Sequence, residues 1–347
     1  MRRSLLPALL LLVAACRVER PAPPAAPGVT GTPATAPGTA APTEAPAPMS
    51  HGESPVGPAL TRPDRAADAP PRATGRRHRI RMVSAHVRHE VSPGVVYEAW
   101  TFDSTVPGPV IRVTVGDTVE FTLVNAAPMP HSMDFHAAEI APDRAYTNVM
   151  PGDSISFTWV PRVPGAFLYH CGTAPVASHI ANGMYGALIV DPARARPAAQ
   201  EFVLVQSEVY MGAPHGADSV RSMNWEKVLN LSPDHVLFNG VAARYATNPI
   251  AVAAGRPIRL YVVNAGPNRN SAFHVVGGIF SAVYADGFGR PFQGLQTWDV
   301  PVGGGAIFEL TLAADGLYPF VSHAFADATK GAVGIFKAGN PAGTMSH

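Results

Sequence analysis

Apolar and polar residues alternate along much of the chain beyond Arg79. The segments Val110–Val115 and Val119–Val124 show this alternation, and Gly, Pro, Asn and Asp bound such segments. A period of two residues predicts strands with one buried face. Long stretches with the helical period are missing, and the sequence indicates only a short helix near Ser222–Val228. We therefore predict an all-β protein of the sandwich class.

The same order of signals occurs twice along the chain, which indicates two domains with a common ancestor. The matching segments are Gly116–Asn125 with Gly255–Asn264, His131–His136 with His274–Ile279, Tyr169–Cys171 with Ser322–Ala324, and Gly186–Val190 with Gly331–Ile335. In this pairing Ala324 corresponds to Cys171, and Thr329 corresponds to Met184. We therefore expect that the second copy has lost a thiolate site.

The N-terminal segment predicts export and a membrane anchor. Residues 1–16 have a basic start and an apolar core too short to span a bilayer, which is typical of a signal peptide. Val13–Cys16 resembles the lipobox of bacterial lipoproteins, so Cys16 is the expected lipidation site, and several acyl chains on one residue anchor stably. Ordinary cleavage near Ala15 is the alternative. We expect a lipid-anchored protein outside the cytoplasm, in the periplasm or on the cell surface.

Composition divides the remaining chain into a tether, two domains and a tail. Residues 17–78 are rich in Pro, Ala, Thr and Gly and predict a disordered, semi-rigid linker. We place the domains at residues 79–193 and 194–338 and a C-terminal tail at 339–347. A net charge of +1 with 15% charged residues predicts no basic surface for nucleic acid.

One thiol and its neighbours form a candidate metal site. A thiolate, two imidazoles and a thioether suit copper in the trigonal arrangement used for electron transfer, with a weak axial methionine. The residues are His131, Cys171, His179 and Met184. Zinc more often takes several cysteines or a carboxylate, and a buried structural cysteine near histidines is the further alternative.

Strand geometry assigns the other histidines to a second site. Neighbouring side chains on a strand point to opposite faces, so His170 and Cys171 face apart. By the same rule His136 diverges from His131, and Asp134 shares the side of His136, where it could donate or steer a proton. Three imidazoles would leave an open position for a small substrate. The candidates are His136, His170 and, from the repeat, His323.

With these motifs, the chain resembles the copper-containing nitrite reductases, two-cupredoxin-domain relatives of the multicopper oxidases, from about Ile80 to Lys337. The resemblance implies two tandem cupredoxin-like Greek-key β-sandwich domains, reduction of nitrite to nitric oxide, and a small cupredoxin or cytochrome c as electron donor. The segments that carry it are Thr101–Pro109, His131–Ala137, Tyr169–Cys171, Asn182–Met184, Val236–Gly240 and Ser322–His323.

The resemblance also implies two coppers per chain and electron transfer from type 1 to type 2 copper. Type 1 copper would be held by His131, Cys171, His179 and Met184, and type 2 copper by His136, His170 and His323. Asp134 matches the family's active-site aspartate. The family forms homotrimers in which the residue matched by His323 reaches a site built by a neighbouring subunit, a head-to-tail contact that closes into a ring.

One position departs from the family pattern and suggests a divergent branch. The family usually has a second active-site histidine five residues after the position of His274, and here that residue is Ile279. Reduction of nitrite to nitric oxide consumes one electron and two protons, so Ile279 removes a proton donor and an anion partner. We expect His274 itself to be structural.

Two other functions remain open at this point. One is a two-copper oxidase acting on oxygen or another small substrate, although a trinuclear cluster would need paired His-x-His motifs and the sequence has none. The other is a tethered copper electron-transfer protein with a vestigial second site.

Overall fold

The computed structural model describes residues 67–341, apart from residues 218 and 288. The predicted signal peptide with Cys16, most of the predicted tether and residues 342–347 of the predicted tail lie outside the described residues. The prediction of disorder is wrong for the end of the tether, residues 67–78, because Asp68 forms a bridge with Phe202 and the first strand already begins at Arg77. In the described part of the chain, none of the helices is both long and apolar enough to cross a membrane.

The first half of the described chain consists mainly of strands. They are β1 (Arg77–Ser92), β2 (Val95–Phe102), β3 (Ile111–Thr114), β4 (Thr118–Asn125), β5 (Asp134–Phe135), β6 (Ser154–Trp159), β7 (Gly165–His170) and β8 (Tyr185–Asp191). Two short helices interrupt them, α1 (Pro142–Ala145) and α2 (Val176–Ala181).

The second half of the described chain also consists mainly of strands. Its strands are β9 (Gln200–Val209), β10 (Met211–His215), β11 (Val220–Met223), β12 (His235–Phe238), β13 (Asn248–Val252), β14 (Pro257–Gly266), β15 (Ser271–Val275), β16 (Ala282–Ala285), β17 (Thr297–Val300), β18 (Gly305–Thr311), β19 (Gly316–Ser322) and β20 (Val333–Ala338). Its helices are α3 (Trp225–Leu229), α4 (Arg244–Thr247) and α5 (Phe325–Thr329), and α3 overlaps the predicted helix.

Two sheets enclose the core of the first domain. Their strand orders are β10-β11-β2-β1-β4-β6 and β3-β8-β7-β5. Burial alternates strictly along β4, as the sequence pattern predicts for a strand with one face on a core. Phe121 and Phe135 meet edge to face in this core, with ring centroids 4.8 Å apart. Cys171 and Met184 belong to the same cluster of buried side chains.

The second domain repeats this architecture, which confirms the all-β, two-domain cupredoxin fold. Its sheets have the orders β12-β9-β14-β18-β16 and β13-β20-β19-β15-β17. Phe273 and Phe308 pack in its core at a centroid distance of 5.0 Å. A third apolar cluster joins the two halves and includes Leu168 and Ile189 from the first with Val263 and Ile307 from the second.

The hairpin of β10 and β11 extends a sheet of the first domain although it follows β9 in sequence. Arg221 of β11 pairs with Tyr97 of β2 in parallel. The connection between the two domains therefore crosses back over the first one and brings α3 against α2, where Ala181, Tyr210 and Val228 form a small buried cluster.

A glycine beneath an aromatic ring sets the true register between the two repeats. In the first domain Tyr169 lies opposite Gly186, and in the second Phe320 lies opposite Gly334. A Cβ atom on either glycine would overlap the facing ring. These two pairs therefore occupy the same place in the two domains, and the predicted match of Gly186 with Gly331 is wrong.

The register makes Ser322 the counterpart of Cys171, because each lies two residues beyond its aromatic residue. The Cys171 amide donates to the carbonyl of Met184, and the Ser322 amide donates to that of Ala332, both at 3.1 Å. The predicted pairings of Cys171 with Ala324 and of Met184 with Thr329 are therefore wrong.

The predicted match of His323 with His170 is wrong for the same reason. Val321 is the counterpart of His170, and His323 is the counterpart of Gly172. Identity between two histidines suggested an alignment that differs by two positions from the one that core packing imposes.

Candidate metal centres

Three ligand-type side chains meet in the core of the first domain. His131 lies in the loop after β4, where it forms an isolated bridge with Val149; Cys171 follows β7, and His179 lies on α2. The Sγ atom of Cys171 is 3.3 Å from Nδ1 of His179 and 3.9 Å from Nδ1 of His131, and the two nitrogens are 3.2 Å apart. One sulfur and two nitrogens thus converge on a single point.

The turn after β7 brings Met184 back to Cys171. The Met184 amide donates to the carbonyl of His179 at 3.1 Å, and the Met184 carbonyl accepts from the Cys171 amide. Gly183 allows this turn with a φ of 116°, which favours glycine. Met184 is fully buried beside the cluster. All four residues of the predicted soft site therefore lie in one buried region.

Burial controls the protonation of this cluster. It lowers the pKa of His131 to about 2, with a further contribution from His179, and lowers the pKa of His179 to about 4. Burial also raises the pKa of the Cys171 thiol, whereas the Ser132 amide donates to Sγ at 3.3 Å and favours the thiolate. The imidazoles are neutral at pH 7 and have lone pairs available, as a metal ligand requires.

The sequence did not single out two residues that contact this cluster. His86 and Trp100 are cross-strand partners on β1 and β2 and stack with ring centroids 5.1 Å apart. The Nε2 atom of His86 is 3.4 Å from Nε2 of His131, and the Trp100 ring meets His179 edge-on at 5.0 Å. They hold the two imidazoles in place, and only the register between β1 and β2 could have identified them.

A second cluster lies on the opposite face of β7 and opens to solvent. Asp134 of β5 pairs with His170 of β7, and His136 follows β5 directly. The Nε2 atoms of His136 and His170 are 3.0 Å apart, and Oδ2 of Asp134 is 3.9 Å from Nε2 of His170. His170 is 9% exposed, Asp134 is half-buried and His136 is exposed, so a small molecule can reach this cluster.

A hydrogen bond orients the ring of His170 towards this second cluster. Its Nδ1 donates to the Cys171 carbonyl at 2.9 Å, since a carbonyl can only accept. In the neutral ring Nε2 therefore has the lone pair, and burial lowers the pKa of His170 and favours the neutral form. Two imidazole nitrogens that face each other at 3.0 Å fit a shared metal ion.

Within one chain, His323 lies with neither of the two clusters. Its ring is exposed and lies 5.4 Å from that of His274 and 4.7 Å from that of Phe325. His274 donates from Nδ1 to the Gln296 carbonyl at 2.6 Å. Ile279 is 58% exposed, so it is not a core residue of the second domain.

The fold and the two clusters together define the class of the protein, a copper oxidoreductase built from two cupredoxin domains. A family model described as multicopper oxidase matches residues 85–195. The copper-containing nitrite reductase of Neisseria meningitidis serogroup A is 40% identical over 265 residues, which cover 75% of this chain and 69% of that relative.

Solved structures show the same similarity. The copper nitrite reductase from Nitrosomonas europaea has a TM-score of 0.70 and 35% identity, covering 76% of this chain and 94% of that chain. The copper-containing nitrite reductase from Thermus scotoductus has a TM-score of 0.69 and 32% identity, covering 75% and 62%. The chain belongs to the family of copper-containing nitrite reductases.

The metal-free protein should be less stable at about pH 5 than at about pH 7. His131 and His179 have folded-state pKa values of about 2 and 4, against 6.5 for an unperturbed histidine. Between these limits the unfolded chain binds protons that the folded chain does not, so stability falls as the pH falls through 6.5. We expect a loss on the order of 2 kcal/mol for each histidine.

Urea unfolding of chelator-treated protein at the two pH values measures this loss. The metal-free His131→Gln variant is the control, and its loss should be smaller than that of the wild type by about 2 kcal/mol, the contribution of one histidine. Equal free energies of unfolding for the wild type at both pH values would contradict the buried, neutral state of these rings.

Proposed function

We propose that this protein binds two copper ions per chain and reduces nitrite to nitric oxide. The observation that carries the proposal is that His170 and Cys171, adjacent in sequence, enter two different clusters, one buried and soft, the other open to solvent. One peptide unit thus joins a site suited to storing an electron to a site suited to binding a substrate. Membership of the nitrite reductase family supports nitrite as that substrate.

The donor sets fit the two copper types. His131, Cys171, His179 and Met184 would hold type 1 copper, because a thiolate, two imidazoles and a thioether suit that ion. His136 and His170 would hold type 2 copper together with His323 from a second copy of the chain. When bound, the metals supply one-electron storage at the first site and a Lewis acid for a nitrite oxygen at the second.

The residues around the open cluster handle the protons of the reaction. Nitrite, one electron and two protons give nitric oxide and water. Asp134 is half-buried, and its Oδ2 lies 3.9 Å from the His170 nitrogen that faces the cluster. Its carboxyl group can therefore bring a proton to a nitrite oxygen bound there. The hydroxyl of Tyr146 donates to the carbonyls of Phe135 and Ala138, both at 3.3 Å, and stabilises the loop after β5.

We also propose an assembly and a location for the protein. His323 is exposed and away from the cluster of its own chain, so a head-to-tail homotrimer would complete the three-imidazole site. A small cupredoxin or a cytochrome c would supply the electron. Cys16 would carry the lipid anchor of a protein outside the cytoplasm, in the periplasm or on the cell surface. We also propose that the two domains span residues 79–193 and 194–338.

Copper-loaded wild type should form nitric oxide from nitrite with a reduced dye as donor. The His136→Ala variant should lose this activity and keep its sulfur-to-copper absorption band, because His136 belongs only to the open cluster. A nitric oxide electrode and a visible spectrum measure both properties. If the variant matches the wild type, or if the wild type consumes oxygen but not nitrite, the proposal fails and oxidase chemistry gains support.

The Asp134→Asn variant should turn over nitrite on the order of 100-fold more slowly, because the amide cannot carry the proton. Asp153→Asn is the matched control, since Asp153 is an exposed aspartate in the turn before β6. Steady-state rates at saturating nitrite measure the effect. A rate for Asp134→Asn equal to that of the control would remove Asp134 from the proton path.

The Ile279→His variant should be faster than wild type, on the order of tenfold, because an imidazole would restore a proton donor. Val276→His is the control, since Val276 is an exposed apolar residue of the same segment and is 45% exposed. An unchanged rate for Ile279→His would show that another group already supplies this proton.

A further inference from the structure

The second domain contains a counterpart of the buried metal cluster. Each turn that returns to the core has a glycine with positive φ, 116° at Gly183 and 117° at Gly331. In both turns the carbonyl four residues before the glycine accepts from the amide just after it, at 3.1 Å in the first domain and 3.0 Å in the second. Asp327 therefore has the place of His179.

The counterpart of His131 is Ser271, and not His274 as the sequence repeat predicts. His131 forms a bridge with Val149, and Ser271 pairs with Val300. In both domains the carbonyl of that valine accepts from an asparagine side chain, at 2.8 Å in the first and 3.0 Å in the second. With Ser322 in the place of Cys171, three polar residues of the second domain replace three candidate ligands of the first.

These three residues present buried oxygen atoms that need partners. Ser271 and Ser322 are fully buried and Asp327 is 1% exposed. Neither serine hydroxyl nor Oδ2 of Asp327 has a hydrogen-bond partner among the residues that the structure describes. A buried polar atom without a partner is unfavourable, and three at the three ligand positions indicate a bound molecule.

The charges around this cluster decide between a metal ion and a neutral ligand. Oδ1 of Asp327 is 2.7 Å from Nε of Arg269, an ion pair that neutralises the only carboxylate among the three residues. Sites made of hydroxyl and carboxylate oxygens alone suit magnesium, calcium or manganese better than the soft copper site of the first domain. A hard cation would place a second positive charge beside the Arg269 guanidinium, which repels it. One water molecule can satisfy three such groups.

We propose that Ser271, Ser322 and Asp327 form a converted metal site, which binds one water molecule at the place that corresponds to the buried metal cluster of the first domain. An open groove of about 380 Å³ reaches Asp327 of this site. Its lining includes Asn268, Arg269, Ala272, Asp299 and Asp327.

The converted site also stabilises the segment that contains His323. Ser322 precedes His323 directly, and Asp327 follows it on α5. The His323 amide donates to the Ala272 carbonyl at 2.7 Å, which holds the same segment against β15. The importance of this placement for activity rests on the proposed function, whereas the site itself does not.

A crystal structure of the full chain at high resolution tests the occupant directly. We expect one peak about 2.7–3.2 Å from the two serine hydroxyls and from Oδ2 of Asp327. Distances of about 2.3–2.6 Å to six or more oxygens would indicate a bound calcium-like cation and overturn the proposal. A map with no peak within reach of these atoms would also overturn it.

Restoring metal ligands tests the correspondence between the two sites. The Cys171→Ser variant should lack the sulfur-to-copper absorption band of the first domain. In that background, five changes should restore such a band after addition of copper(II) sulfate: Ser271→His, Ser322→Cys, Asp327→His, Ala332→Met and Arg269→Met. The Arg269→Met change removes the positive charge. Met129 is the counterpart of Arg269 in the first domain, because the Met129 carbonyl accepts from the Asn125 side chain and the Arg269 carbonyl accepts from the Asn264 side chain.

A folded variant that shows no such band, and that binds about one copper fewer per chain than a variant with a restored site would bind, would overturn the assigned positions. Circular dichroism against the Cys171→Ser parent establishes folding. The wild-type crystal structure tests the proposal whether or not this variant folds. Neither measurement uses nitrite turnover, so failure of the proposed function is distinguishable from failure of this inference.

Discussion

The geometry of an extended chain at the end of β7 is the constraint on which the two candidate sites depend. Side chains of consecutive strand residues point to opposite faces, so Cys171 points into the sandwich and His170 points out of it. One face is dry and the other is open to solvent. The two environments are thus fixed one peptide apart, and no flexible segment lies between them.

Burial then gives each face its chemistry. In the core, desolvation favours neutral imidazoles at His131 and His179, and the stacked His86 and Trp100 rings hold them near the sulfur. Water is excluded there, which suits a site that exchanges only electrons. On the other face Asp134 and exposed His136 keep access to solvent, from which protons and a small anion must come.

Local sequence rules were sufficient for the fold class and for the two groups of candidate ligands in the first domain. Alternation predicts the strands, and strand parity separates Cys171 from His170 correctly. The register between the domains could not be predicted in this way, because it depends on a glycine beneath an aromatic ring, a contact across strands. The shared histidine of Ser322-His323 and Tyr169-His170 was a misleading signal. The support from His86 was missed because it depends on the pairing of β1 with β2.

The corrected register explains how the second domain could lose a metal site and keep its fold. The turn around Gly331 shares two backbone hydrogen bonds with the turn around Gly183, donated by the glycine and by the residue after it, and these bonds involve no ligand side chain. The same scaffold therefore forms with Ser271, Ser322 and Asp327 at the three ligand positions, and Arg269 neutralises the Asp327 carboxylate. Metal binding in this fold is a property of a few side chains on a backbone that forms without them.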